Sequence, residues 1–316
     1  MFCIGVNNMK QLYTRKRGNC SGNRPEPDIL DERDAVIRVT LTTICSSDIH
    51  IKTELFPEQC REQFSDTNLS GSSSDGKSCE ESKAGRPGGS QCRTFCGECF
   101  FCQRGFVNNC TDKIGGWALG CRIDGGQAEY VRIPFADNGL TVIPDHVTDE
   151  QALFNGDLLS TGYWAAKIGE IKPGETAAVI GAGPTGLCTM LCARLYGPSK
   201  IIAIDTDEFR LKLAKEKGLA DVILAPGKDD IESRIRALTD GRGADTVFEA
   251  AGGKDTFQTA WKIARPNAIV TIVAMYGEPQ ILPLPDMYGK KSYFQDGRCG
   301  WMLLSGDYGS DCRGKA

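Results

Sequence analysis

Residues 175–207 read ETAAVIGAGPTGLCTMLCARLYGPSKIIAIDTD. The short apolar run TAAVI, closed by glycine, predicts a buried strand. Gly181, Gly183 and Gly186 follow it at the spacing G-x-G-x-x-G. The first glycine permits a tight turn, the second lets the backbone approach a pyrophosphate, and the third brings a helix close to the strand. A helix opening at that point offers free N–H groups and the positive end of its dipole to phosphates. Leu187, Met190, Leu191 and Leu195 fall on one helical face, and Gly197-Pro198 stops the helix. A second strand, IIAI, leads to Asp205, about 20 residues beyond the turn, where a dinucleotide-binding unit carries an acid. A carboxylate there accepts hydrogen bonds from both ribose hydroxyls and repels a 2′-phosphate, which favours NAD over NADP.

Downstream, ADTVFEAAG (244–252) and NAIVTIVAMYG (267–277) supply further buried parallel strands, so residues 151–291 read as an α/β domain with a doubly wound parallel sheet. Upstream the texture differs. Residues 35–52 begin with apolar Val36, Ile37, Val39 and Leu41 and read as a strand entering a loop at Cys45. Residues 92–145 read as short strands and turns. Between them, residues 53–91 show no periodicity and resemble a linker rich in serine, glycine and charge. After Lys291 the pattern is lost again.

Composition excludes some functions. The 316 residues carry a formal net charge of −4, so no basic face points to nucleic acid. No apolar run approaches the ~20 residues of a membrane span, and the basic N-terminus lacks the apolar stretch of a secretion signal. A cytoplasmic location is therefore expected, where the 15 cysteines serve as thiols or metal ligands more readily than as disulfides.

Cys96, Cys99, Cys102 and Cys110 follow C-x2-C-x2-C-x7-C. Four thiolates so close can enclose one tetrahedral zinc in a closed structural site, and an iron–sulfur cluster can use four cysteines as well. Cys92, Cys121, Cys188 and Cys192 show no partner pattern and read as small apolar fillers.

Taken together, TLTTICSSDIH, CGECFFCQRGFVNNC, DGGQAEYVRIPFAD, GDLLSTGY, VIGAGPTGL and IIAIDTDEFRLKLAKEKG resemble the medium-chain, zinc-dependent alcohol dehydrogenase family, in the family's order and over roughly two-thirds of the chain. The resemblance implies a GroES-like β-barrel catalytic domain (1–150, with a structural zinc lobe at 92–112) followed by a Rossmann NAD-binding domain (151–291). It also implies a small alcohol or carbonyl substrate, Zn2+ and NAD as cofactors, and homo-oligomers. By this likeness Cys45 and Asp157 match catalytic-zinc ligands, Ser47 the hydroxyl that takes the alcohol's proton, and His50 the relay to solvent. Cys96, Cys99, Cys102 and Cys110 match the structural-zinc ligands. Gly181, Gly183, Pro184, Thr185, Gly186, Asp205 and Arg210 match the cofactor-binding positions.

One family element is missing. The Gly-His-Glu that supplies another zinc ligand has no counterpart, because no histidine lies between His50 and His146, and His146 matches no ligand. Codons permitted for Gln63–Gly71, read from a frame displaced by two bases, can spell Ile-Leu-Gly-His-Glu-Phe-Val-Gly, which contains it. Residues 11–22, 77–89 and 292–315 can be re-read to family-like segments in the same way. Segments 11–22 and 57–91 are thus expected to be out of frame and 292–316 to be scrambled. Strands of the barrel should be lost, the barrel incomplete, and catalytic zinc bound poorly. A catalytically inactive NAD- and zinc-binding remnant is then the alternative to an active dehydrogenase. A zinc-free quinone reductase is opposed by the cysteine cluster.

Overall fold

The computed structural model describes residues 8–15, 18–44, 48, 68–74 and 87–296. They fall into two compact units that divide between Asp157 and Leu158.

In the first unit, β1 (Asn8–Arg15) and β2 (Gly18–Pro25) form an antiparallel hairpin. A five-stranded antiparallel sheet follows, built from β3 (Ala35–Thr42), β4 (Asn68–Ser74), β5 (Pro87–Gln91), β8 (Tyr130–Ile133) and β9 (Leu140–Val142) in the order β8-β3-β4-β5-β9. Two short strands, β6 (Arg93–Thr94) and β7 (Gly116–Trp117), pair apart from it. Ala35 and Ile37 point inward from β3 and meet Leu119, Val131, Ile133 and Leu140 in one core. This is the period-2 alternation of a sheet with one covered face. Asp34 is buried at the mouth of β3. Its Oδ2 accepts from Arg132 Nη1 at 2.8 Å and from the N–H groups of Leu30 and Asp31 at 3.1 and 3.0 Å. A buried charge is tolerable only with partners of this kind.

Two expectations need correction here. Strands were expected to vanish from 57–91, yet β4 pairs with β3 on one side and β5 on the other, from Thr42↔Leu69 to Val36↔Ser74 and from Asn68↔Gln91 to Ser72↔Pro87. Ladder bonds are made by backbone N–H and C=O groups, which a serine–glycine segment carries as any other does. Residues 11–15 and 18–22 of the first re-read segment fall in β1 and β2, residues 293–296 form β15 (Tyr293–Asp296), and 297–316 lie outside the described residues. Finally, Cys121 is buried and disulfide-bonded rather than a free filler.

The approach to Asp157 is a capped helix. Helix α1 (Ala136–Gly139) precedes β9, and α2 (Asp149–Leu153) opens on Thr148, whose hydroxyl accepts from Gln151 N–H at 3.3 Å while the Gln151 side chain accepts from Thr148 N–H at 3.0 Å. This reciprocal box satisfies two otherwise free donors. Thr148→Ala should cost about 1 kcal/mol, read by denaturant unfolding.

The second unit starts with α3 (Leu158–Ile168) and carries a six-stranded parallel sheet. Its strands are β10 (Thr176–Ile180), β11 (Lys200–Ile204), β12 (Val222–Leu224), β13 (Ala244–Glu249), β14 (Ala264–Ile272) and β15. The order is β12-β11-β10-β13-β14-β15, with every pair parallel. Helices α4 (Pro184–Arg194), α5 (Glu208–Glu216), α6 (Ile231–Leu238), α7 (Thr256–Ile263) and the short α8 (Leu284–Met287) complete it. Successive residues of β10 feed opposite cores. Ala177 and Val179 join Met190, Ile201 and Phe248 on one face, and Ala178 and Ile180 join Ile202, Ile235 and Val270 on the other. Burial on both faces explains why these strands read as unbroken apolar runs.

The α4 face differs from the expectation. Met190 is fully buried, but Leu191 is 48% and Leu195 72% exposed. The buried residues are Gly186, Thr189, Met190, Cys192 and Ala193, and Leu187 packs partly against the same core. A helix seated hard on a strand selects small residues at the contact, and large leucines turn outward.

Candidate functional site

The turn at 181–186 has the geometry that its glycines forecast. Gly181 sits at φ +98°, closed to side chains, and a Cβ on it would lie 2.9 Å from the Ala250 carbonyl carbon. A Cβ on Gly186 would drive into the Gly181 carbonyl, whose carbon would be 2.9 Å away. Gly183 differs: a Cβ there would meet nothing nearer than Arg210 Nη1 at 3.8 Å. Gly183 is also the N-cap of α4 and has no side chain to satisfy the helix's free N–H groups, with Pro184 next. Space and unsatisfied donors therefore coincide at the helix start, as an anion site requires.

Asp205 stands at the end of β11. Its Oδ2 accepts from Ala182 N–H at 2.6 Å and its Oδ1 from Asp207 N–H at 2.8 Å. The carboxylate thus braces the glycine turn, and each oxygen keeps a second lone pair for a ribose hydroxyl. Arg210 Nε pairs with Asp207 Oδ2 at 3.5 Å, half-exposed, and reaches the open side of Gly183. The residues present fit a dinucleotide: the cradle is free where a phosphate would lie and closed elsewhere.

In the first unit, Cys96, Cys99, Cys102 and Cys110 place their four sulfurs within 4.8 Å of one another. Cys96 Sγ is 3.6 Å from Cys110 Sγ and 4.0 Å from Cys102 Sγ. Tetrahedral zinc with bonds near 2.3 Å sets its sulfurs ~3.8 Å apart, so the set fits zinc. Glu98 and Cys99 N–H groups donate to Cys96 Sγ at 3.4 Å, and Cys96 N–H donates to Cys110 Sγ at 3.5 Å. Such donors stabilise thiolate and orient it. Backbone hydrogen bonding at Thr111, then at Cys102, holds the Cys99 thiol down to about 5, while burial pushes those of Cys102 and Cys110 up. Arg122 ties the far side of the lobe, donating to the carbonyls of Lys113 at 3.0 Å, Trp117 at 3.4 Å and Gly115. Arg104 covers the Phe100 ring at 3.7 Å.

Cys45, Ser47 and His50 lie outside the described residues. Asp48 between them is held through Oδ2 by Gln127 Nε2 at 3.2 Å. Asp157 is described, and it faces Arg93: Nη1 stands 3.6 Å from Oδ1, with side chains 12% and 18% exposed. Among the described residues, the four cysteines are the one group of three or more side chains placed to hold a metal. The described side chains beside Asp157 therefore do not by themselves compose a zinc site. Arg93 was not forecast. It sits inside the cysteine-rich stretch, but nothing in the local pattern reveals a partner so distant in the chain.

Known proteins resemble both units. Residues 31–145 match the family model of the alcohol dehydrogenase GroES-like domain, and residues 184–300 match that of zinc-binding dehydrogenases. An alcohol dehydrogenase of Cupriavidus necator is 34% identical over 278 residues, covering 83% of this chain and 75% of that protein. Zinc-type alcohol dehydrogenase B of Aspergillus flavus is 32% identical over 283 residues, which cover 87% of this chain and 65% of that protein, just under two-thirds of its length. The apo structure of zinc dependent alcohol dehydrogenase 2 from Streptococcus pneumonia superposes with a TM-score of 0.86 at 31% identity, covering 93% of this chain and 84% of that one. No helix among the described residues is long and apolar enough to cross a membrane.

Proposed function

The chain belongs to the zinc-dependent alcohol dehydrogenase family, and from that premise we propose that it binds NAD at the 181–186 turn and interconverts a small alcohol with its aldehyde or ketone. The observation carrying this reading is the open cradle at Gly183, braced by Asp205. When bound there, NAD supplies the hydride acceptor for alcohol oxidation. The N–H groups at the start of α4 hold the pyrophosphate, and Arg210 adds a positive charge beside it. Asp205 receives the adenosine ribose hydroxyls and disfavours a 2′-phosphate. Ser47 takes the alcohol's proton and His50 passes it to solvent, in the roles the family resemblance assigns. Zinc held by Cys96, Cys99, Cys102 and Cys110 would have all four positions filled by protein and would serve the fold.

A second reading is favoured by two observations. No in-frame Gly-His-Glu exists, and Asp157 is engaged by Arg93. On that reading the chain is a non-catalytic NAD- and zinc-binding remnant whose segments 11–22, 57–91 and 292–316 are out of frame. One experiment separates the two. Purified protein is assayed for zinc content, NADH binding and NAD reduction with small primary and secondary alcohols. Turnover with two zincs per chain supports the enzyme. NADH binding with one zinc and no turnover supports the remnant, and failure to bind NADH removes both.

Cofactor choice has its own test. Asp205→Asn keeps an acceptor for Ala182 N–H and removes the charge. The NADPH-to-NADH affinity ratio should rise about tenfold, as loss of a hydrogen bond to a charged group predicts. An unchanged ratio would place the discriminating group elsewhere.

A further inference from the structure

Glu249 ends β13 beside Ile180 of β10, where the strand order reverses and a doubly wound sheet opens its ligand crevice. It is completely buried, an unusual state for a carboxylate. Its Oε1 accepts from Ala251 N–H at 3.0 Å and from Gly252 N–H at 2.9 Å. Its backbone carbonyl accepts from Val273 N–H at 2.7 Å and Ala274 N–H at 3.0 Å. One residue therefore holds both loops that leave β13 and β14. The same loops press on the glycine turn and on each other. Ala250 N–H donates to Ile180 O at 2.8 Å, and a Cβ on Gly252 would be 2.6 Å from Met275 O.

Glu249 Oε2 is buried beside the Tyr276 hydroxyl. That hydroxyl is 3.1 Å from Thr256 Oγ1, which donates to Gly253 O at 2.8 Å. Burial pushes the Tyr276 phenol up, and the neighbouring Glu249 carboxylate adds to the shift. The network lies wholly under the loops of the β13–β14 half. The glycine turn and Asp205 belong to the β10–β11 half. In a sheet built from two mononucleotide-binding halves, these two sets serve opposite ends of one dinucleotide.

We propose that Glu249 is a positioning residue for the nicotinamide half of the cofactor, fixing loops 250–252 and 273–276 against the glycine turn. This deepens the NAD-binding reading above and rests on it. Glu249 touches no ligand itself, since both its oxygens are enclosed. A carboxylate at the end of an apolar strand satisfies two loop donors that no backbone group reaches. Replacing it by an apolar residue leaves those donors buried and unpaired.

The test compares NADH with ADP-ribose, which lacks the nicotinamide, by calorimetric titration of the full chain. Glu249→Ala should weaken NADH about tenfold, as loss of one such loop contact predicts, and leave ADP-ribose within about twofold. Glu249→Gln keeps an acceptor for both N–H groups and should restore NADH affinity to within about threefold. Amide exchange at Ala251 and Gly252 in cofactor-free protein should quicken in the alanine variant and not in the glutamine variant. Glu249→Asp, which draws the carboxylate back by one methylene, should repeat the selective loss and serves if the alanine variant does not fold. Equal weakening of both ligands, or no weakening of NADH, overturns the proposal. Unmodified protein that binds neither ligand overturns the NAD-binding reading itself, a result distinguishable from the others.

Discussion

Gly186→Ala is expected to destabilise the second unit by about 3 kcal/mol and to abolish NADH binding, because an added methyl has nowhere to go. Its Cβ would enter the Gly181 carbonyl group and lie 3.7 Å from Val179 Cγ1. The obstacle is backbone, so no rotamer change relieves it. Helix α4 would have to lift from β10, which opens the core around Val179, Met190 and Ala193. Lifting also moves the helix start away from Asp205, whose carboxylate holds Ala182 N–H. Denaturant unfolding of the variant, followed by a fluorescence or dichroism signal, measures the loss. Gly183→Ala is the control. Its Cβ meets only a flexible guanidinium at 3.8 Å, so the fold should survive while a methyl occupies the space left for phosphate. A Gly186→Ala protein of undiminished stability would mean that α4 is not seated on β10 as described.

Cys102→Ser should empty the four-cysteine lobe of metal. Structural zinc sites of this type bind with about 10–16 kcal/mol of apparent free energy, and that energy is folding energy for the segment that supplies the ligands. All four ligands lie between Cys96 and Cys110, so the cost falls on the lobe and the carbonyls that Arg122 gathers at 113–117. Elemental analysis should fall by one zinc per chain, and amides of 96–117 should lose exchange protection while those of β10–β14 keep theirs. A chelator in excess should reproduce the effect on unmodified protein. Iron in place of zinc, with visible absorbance, would assign the lobe to a cluster instead. Retention of full zinc in the serine variant would show that the metal resides elsewhere.

How much of this was legible in the residues differs from place to place, for physical reasons. The turn at 181–186 was readable because backbone clearance depends on glycine itself, and Gly181 and Gly186 do stand where a Cβ would collide. The cysteine lobe was readable because four ligands for one ion must be close in a short loop, and they are. On α4 helical spacing placed Met190 and Leu187 correctly against the core, but Leu191 and Leu195 turn outward, and the inner face also takes Gly186, Thr189, Cys192 and Ala193. Strands β4 and β5 were invisible because NLSGSSS and PGGSQ hold no side-chain alternation, and backbone pairing leaves none to read. The Arg93–Asp157 pair was hidden for a different reason, since ion pairing across distant segments leaves no periodic trace. Glu249 did leave a trace, an acid closing the apolar strand ADTVFE, whose meaning needed the two loop N–H groups beside it.

The two-sided burial of β10 bears on which genetic lesions such a molecule survives. Ala177 and Val179 serve one core while Ala178 and Ile180 serve the other. Losing or gaining a single codon there exchanges the two sets and spoils both interiors at once. The ladder between β3, β4 and β5 imposes a weaker demand on side chains, because what it joins is the backbone N–H and C=O that every residue but proline carries. A one-residue insertion within Thr176–Ile180 is therefore expected to cost more stability than one within Pro87–Gln91, as read by denaturant unfolding.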